Sequence, residues 1–174
     1  MTVPVSGEPG ALTWRASEDV VAEVDGILAR LATQVGDPTG AVGERLFPRA
    51  YLDPTEDAAE TFWRLSRRDG LVADRLAAIA AVRADIANAV GGRRLLGRVE
   101  VPLGDGTHWM TACNDARLWI GTELGLGDED LEAARGDLRN PEYARYVMLT
   151  MLLEGIVEAV LDEMPVEGRD DDEG

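Results

Sequence analysis

Apolar residues recur at spacings of three and four between Val20 and Val35, and this pattern constrains the fold more than any other in the chain. The recurring residues are Val20, Val21, Val24, Ile27, Leu28, Leu31 and Val35. This spacing places them on one face of a helix, because an α-helix turns once every ~3.6 residues. Ser17 precedes the pattern as an N-cap, and Gly36-Asp37-Pro38 follows it as a stop. The segment is therefore predicted to be an amphipathic helix.

Similar signals predict further helices along the chain. Asp53-Pro54-Thr55-Glu56 has a capping residue, a proline at the first helical position and a glutamate three residues after the cap. Asp69-Gly70 is expected to break or bend the helix that follows, so that a second helix runs to Gly91-Gly92. Asn140-Pro141 opens the last helix, which is apolar around much of its circumference and is expected to lie centrally in the core.

Val99 to Leu103 alternates apolar and polar residues, which is the period of a strand. Pro102 would confine this segment to an edge strand or a short extended connector, and no convincing partner strand is evident. The prediction is an all-α fold, a single compact helical domain of five to seven helices over residues 14–164, with one short extended segment near 99–103. Residues 1–13 are expected to form a flexible N-terminal arm, and residues 165–174 a disordered acidic tail.

The net charge of −16 limits the classes of partner that the chain can bind. An acidic protein repels nucleic-acid phosphates, so direct nucleic-acid binding is not expected. Two arginine clusters, at 64, 67 and 68 and at 93, 94 and 98, keep a DNA-binding regulator open as an alternative. We find no secretory signal and no uncharged apolar run of about 18 residues, so a cytoplasmic protein without a membrane partner is expected.

The polar residues Asn114, Asp115 and Arg117 are the best candidates for a specific role. They can either stabilise the fold or form a partner surface. Residues two apart point about 200° from each other on a helix, so Asp115 and Arg117 must face different neighbours. We expect Asp115 to be buried and Arg117 partly exposed, with Arg49 as a candidate ion-pair partner of Asp115.

Catalytic, metal and cofactor sites are not predicted. His108 is the single histidine, and it lies about 140° around a helix from Cys113, so the two would not share a metal ion. No serine or cysteine lies beside an evident base. An enzyme that uses Asp115 and Arg117 is the weaker alternative. Trp119 is left as either a core residue or an interface anchor.

Three blocks of sequence together carry a family resemblance. They are Arg45-Leu46-Phe47-Pro48-Arg49-Ala50-Tyr51-Leu52-Asp53, Phe62-Trp63-Arg64-Leu65, and Ala112-Cys113-Asn114-Asp115-Ala116-Arg117-Leu118 with Gly121-Thr122-Glu123-Leu124-Gly125. Over roughly residues 14 to 163 the chain resembles the actinobacterial family long listed as a domain of unknown function and now called the AosR-like oxidation-sensing regulators. The resemblance implies a helical, non-enzymatic protein that controls oxidative-stress genes through a sigma factor.

Cys113 departs from what oxidation sensing by a disulfide requires. Two cysteines are needed, and the chain has one. The resemblance implies a leucine at this position, so a small buried hydrophobe is the expected role and a redox sensor the weaker one. The function that the resemblance implies, and that we predict, is that of a non-enzymatic regulator that acts through protein contacts.

Overall fold

The computed structural model describes residues 5–8, 11–92, 94–95, 97–126 and 138–162. Its elements in chain order are β1 (Val5–Glu8), β2 (Ala11–Ala16), α1 (Glu18–Gly36), α2 (Gly40–Leu46), a short 3-10 helix (Pro54–Glu56), α3 (Asp57–Val90), β3 (Arg94–Leu95), β4 (Arg98–Gly104), α4 (Thr107–Glu123) and α5 (Pro141–Asp162). The described residues are therefore mostly helical, with five α-helices and a small sheet. The acidic tail expected at 165–174 lies outside the described residues.

Helix α1 follows the predicted pattern closely. It begins at Glu18, directly after the Ser17 N-cap, and ends at Gly36. Its buried residues are Val21, Val24, Ile27, Leu28, Leu31 and Val35, all from the predicted apolar face. The three-and-four spacing of these residues thus places α1 against the core.

Helix α3 is continuous over 34 residues, so the break expected at Asp69-Gly70 is not found. A glycine inside a helix costs only about 1 kcal/mol relative to alanine, and the helical residues on both sides outweigh that cost. No heavy atom lies within 4 Å of a Cβ built on Gly70, so no close approach explains the glycine. The predicted pair of helices is one long helix.

The prediction of a mostly helical domain with five to seven helices is confirmed by the five α-helices of the described residues, but the fold is not purely α. Four strands form an antiparallel sheet in the order β1-β2-β4-β3. Strand β4 covers the predicted extended segment, and its missing partner is β2, with Trp14 opposite Val101 and Thr13 opposite Pro102. The expected flexible arm is strand over residues 5–8 and 11–13. Leu12, Trp14 and Ala16 alternate into the core, so burial of every second residue holds this segment in place.

The core lies between the sheet and the helices. The inner face of the sheet contributes Leu12, Trp14, Val99, Val101 and Leu103. Trp14 packs edge to face with Trp109 of α4, at a centroid distance of 5.8 Å and an interplanar angle of 68°, an arrangement that aromatic pairs favour. The Trp109 indole N–H donates to Asp85 of α3 at 3.1 Å. Helix α4 thereby contacts both the sheet and α3.

Candidate interaction site

Asp115 and Arg75 form a partly buried ion pair between α4 and α3, in which Asp115 is buried and Arg75 is half-buried. Asp115 is 2% exposed, and Arg75 Nη1 contacts its Oδ1. Arg75 Nη2 also donates to the carbonyl oxygen of Leu46 at 2.8 Å. The Arg75 guanidinium carbon lies 4.9 Å from the ring centroid of Phe47, in cation–π geometry. Arg75 therefore joins the end of α2, the middle of α3 and the middle of α4.

Burial dominates the electrostatics of Asp115. Loss of hydration raises the pKa of this carboxyl, and the hydrogen bond and charge of Arg75 oppose the shift. Oδ2 of Asp115 has no hydrogen-bond partner in the described part of the chain. A buried charge that depends on one partner is costly to leave alone. Arg75 thus offsets only part of the cost of burying Asp115, and removal of either side chain would leave the other without its partner.

Arg49 is not the partner of Asp115, so that expectation is corrected. Its Nη2 contacts Asp57 Oδ1, and its Nε donates to the carbonyl oxygen of Tyr51 at 3.0 Å. Arg49 follows Pro48 in the loop before α3 and pairs with the start of that helix. Arg75 reaches Asp115 because it lies on the part of α3 that packs against α4.

Arg117 and Asn114 interact with each other on α4. Arg117 Nη2 donates to Asn114 Oδ1 at 3.1 Å, and both residues are half-buried. Asp115, one residue along, is buried, as the helical spacing predicts. Arg117 therefore interacts within α4, whereas Asp115 interacts with Arg75 of α3.

Trp119 and Cys113 both lie inside the protein. Trp119 is 3% exposed, and the Arg30 guanidinium lies 5.3 Å from its ring centroid. Trp119 is therefore a core residue, because an interface anchor would need an exposed ring. The Cys113 thiol is fully buried, and loss of hydration raises its pKa to about 12. A reactive thiol needs access and a lowered pKa, so this environment disfavours oxidation sensing.

Glu60 is a buried carboxylate that the sequence patterns did not indicate. It is buried at the start of α3, where its Oε2 accepts the amide N–H groups of Ala50 and Tyr51 at 3.0 Å each. Its Oε1 contacts Arg64 one turn later. Burial alone would raise the pKa of Glu60, but the Tyr51 amide, Arg64 and the Ala50 amide stabilise the carboxylate more, so the pKa is lowered. The i,i+4 spacing of Glu60 and Arg64 was the available sequence signal.

A shallow groove between α3 and α4 brings some of the predicted residues together. His108, Thr111, Asn114 and Asp115 line it together with residues of α3 that include Asp74 and Arg75. Arg117 is not among its lining residues. Among the described residues, no group of three or more histidine, cysteine, aspartate or glutamate side chains could hold a metal ion.

A second groove lies on the first half of α3. Its lining residues are Tyr51, Ala59, Phe62, Trp63, Ser66 and Arg67. Phe62 is 74% exposed and Leu65 is 81% exposed. Trp63 is half-buried beside them. The residues of this surface include members of two of the three blocks that carry the family resemblance, 45–53 and 62–65.

The structure defines a mostly helical protein whose helices pack around one face of a small antiparallel sheet. Residues 9–160 match the model of a family described as a domain of unknown function (DUF2017), and the chain belongs to that family. No curated protein and no solved structure matches the chain. Within the described residues, no helix is both long and apolar enough to pass through a membrane.

Proposed function

We propose that this protein is a non-enzymatic regulator that binds other proteins, in oxidative-stress-linked transcription control through a sigma factor. The observation that carries the proposal is the exposure of two large apolar side chains, Phe62 and Leu65, three residues apart on the first half of α3. Contiguous exposed apolar side chains mark protein contact sites, because leaving them in water is unfavourable. The resemblance to the AosR-like regulators supports the choice of a sigma factor.

The polar residues of the resemblance fit a structural role better than a catalytic one. Asp115 forms an ion pair with Arg75, and Asn114 accepts a hydrogen bond from Arg117. Catalysis needs groups that can exchange protons or bind substrate, and these side chains already have partners within the fold. The acidic charge of the whole chain favours a partner with a basic face, because opposite charges raise the rate of encounter.

The alternative of direct DNA binding gains little support from the arginine cluster on α3. Arg64 contacts Glu60, and Arg68 Nη2 donates to the carbonyl oxygen of Pro38 at 2.8 Å. Phosphate binding needs several cations with few internal partners, and the net charge of −16 opposes it further. A mobility-shift assay at about 150 mM salt should show no tight complex with duplex DNA.

The proposal is tested by affinity capture from native cells, with and without peroxide, followed by mass spectrometry. The tagged wild-type chain should enrich a sigma factor. A Phe62→Ser, Leu65→Ser variant should lose it, because these exposed side chains would no longer offer an apolar contact. The control is Leu161→Ser, which changes an exposed leucine on α5. Absence of a sigma factor, or equal capture by both variants, contradicts the proposal.

A further inference from the structure

The groove on the first half of α3 combines apolar side chains with one exposed arginine, Arg67. We call it the α3 surface and define it by Tyr51, Phe62, Trp63, Leu65 and Arg67. Its three aromatic side chains and its arginine give it the composition that interface centres favour. It can therefore accept an apolar side chain from a partner.

The segment that carries this surface is much less acidic than the chain as a whole. Residues 57–70 contain three arginines and three acidic residues, a net charge of 0, whereas the whole chain carries −16. One of these acidic residues is Glu60, which is buried and in contact with Arg64, and another is Asp57, which contacts Arg49. An approaching partner therefore meets Arg67 beside the apolar side chains.

Arg67 is the cation best placed to bind a partner. It lines the groove with Phe62 and Trp63, and its side chain is exposed. In the described part of the chain it has no hydrogen bond or ion pair, whereas Arg64 contacts Glu60 and Arg68 contacts Pro38. A guanidinium binds a carboxylate through two parallel hydrogen bonds.

We infer that the α3 surface binds an acidic amphipathic segment of another protein. One apolar side chain of that segment packs among Tyr51, Phe62 and Trp63, and a neighbouring aspartate or glutamate pairs with Arg67. A second copy of the chain is a poorer occupant, because two molecules of net charge −16 repel each other and the two Arg67 side chains would face one another. This inference rests on the proposed function, in that the chain acts by binding proteins at this surface.

The experiment is a selection of short random peptides, displayed on phage, against the immobilised full-length protein. Enriched peptides should combine a large apolar residue with adjacent aspartate or glutamate. The best peptide, synthesised with a fluorophore, should bind in an anisotropy titration. Its affinity should fall at least about tenfold for Arg67→Glu and for Phe62→Ser, as expected for central interface residues.

Two matched variants keep the experiment specific. Arg98→Glu changes an exposed arginine on β4, and Leu161→Ser changes an exposed leucine on α5, so both should bind the peptide as the wild type does. A peptide with arginine in place of its acidic residue should recover affinity for the Arg67→Glu variant. Circular dichroism should show that all four variants remain folded, since every changed side chain is exposed.

Several outcomes overturn the inference. They are no enrichment, a basic consensus, binding that Arg67→Glu and Phe62→Ser do not weaken, and a concentration-dependent dimer that Phe62→Ser abolishes. The affinity capture from native cells distinguishes failure of this inference from failure of the proposed function. If capture of a sigma factor still depends on Phe62 and Leu65, the proposed function stands and only the acidic character of the partner is wrong.

Discussion

The two halves of helix α3 differ in what surrounds them. The second half buries Ala78, Ile79, Val82, Ile86 and Ala89, at the three-and-four spacing of a core-facing helix. In the first half, over residues 57–70, Glu60 is the one buried residue, and Phe62 and Leu65 are exposed. One helix therefore supports the core along one half and presents a surface along the other, so helical pattern and core burial need not coincide.

The largest effect is expected at the ion pair that anchors the second half of α3 to α4. Asp115→Ala leaves Arg75 without its carboxylate partner, and loss of one member of a buried pair costs about 3–5 kcal/mol. For a domain of this size the melting temperature should fall by about 6–20 °C. Thermal unfolding followed by circular dichroism measures the change.

The control for this prediction is Arg117→Ala, on the other face of α4. Arg117 is half-buried, and Asn114 is its one hydrogen-bond partner among the described residues, so the melting temperature of the Arg117→Ala variant should change by a few degrees at most. A larger loss for Arg117→Ala than for Asp115→Ala would show that the two faces of α4 have been assigned incorrectly.

Truncation of one apolar residue in each half tests the comparison directly. Ile79→Ala should lower the free energy of unfolding by about 2–5 kcal/mol, because it leaves a cavity in the core. Leu65→Ala should change it by about 0.5 kcal/mol or less, because Leu65 is 81% exposed. Urea unfolding measures both. Similar losses at both sites would mean that the first half of α3 is also packed against the core.

The carboxylate of Glu60 should make the first half of α3 sensitive to acid. Its pKa is lowered in the folded state, so its contribution to stability is complete above the ordinary glutamate pKa of about 4.3. That contribution is lost as the pH falls through the folded pKa. Glu60→Gln, which keeps an acceptor for Ala50 and Tyr51, should be less stable than the wild type at neutral pH.

Acid titration of the tryptophan fluorescence checks the Glu60 prediction. The difference in stability between wild type and Glu60→Gln should narrow as the pH falls below about 4.3. A difference that stays constant down to acid pH would show that the charge of Glu60 does not stabilise the folded protein.

Thiol labelling gives the smallest perturbation. Cys113 is fully buried and its pKa is raised to about 12, so it should react slowly in the native protein and quickly after unfolding. A cysteine introduced by Leu65→Cys should react quickly in the native state, because that position is exposed. Fast labelling of native Cys113, or a peroxide-induced dimer that Cys113→Ser removes, would favour a redox role for this thiol.

Local patterns predicted the elements that bury a regular face. Helix α1 and strand β4 were located because their apolar residues repeat at the helical or strand period. The pairing of β4 with β2 was missed, although Leu12, Trp14 and Ala16 alternate in the same way. The glycines and prolines around this short run favoured a mobile arm, and the pairing depends on a partner strand that is distant in sequence.

The candidate site was predictable only in part for the same reason. Burial of Asp115 followed from helical geometry, but the choice between Arg49 and Arg75 did not. Arg75 lies 40 residues from Asp115 in the sequence, and its place is set by how α3 packs on α4. Exposure of Phe62 and Leu65 was likewise hidden, since an apolar residue on a helix has the same sequence signal whether or not a partner element covers it.

The three-way contact of Arg75 has a consequence for local unfolding. Because this side chain connects Leu46, Phe47 and Asp115, the end of α2 and the middle of α4 cannot separate from α3 without breaking the same contacts. Amide hydrogen exchange should therefore show these three segments opening together as one cooperative unit. The first turns of α3 should exchange earlier, so the proposed binding surface can fluctuate while the core stays closed.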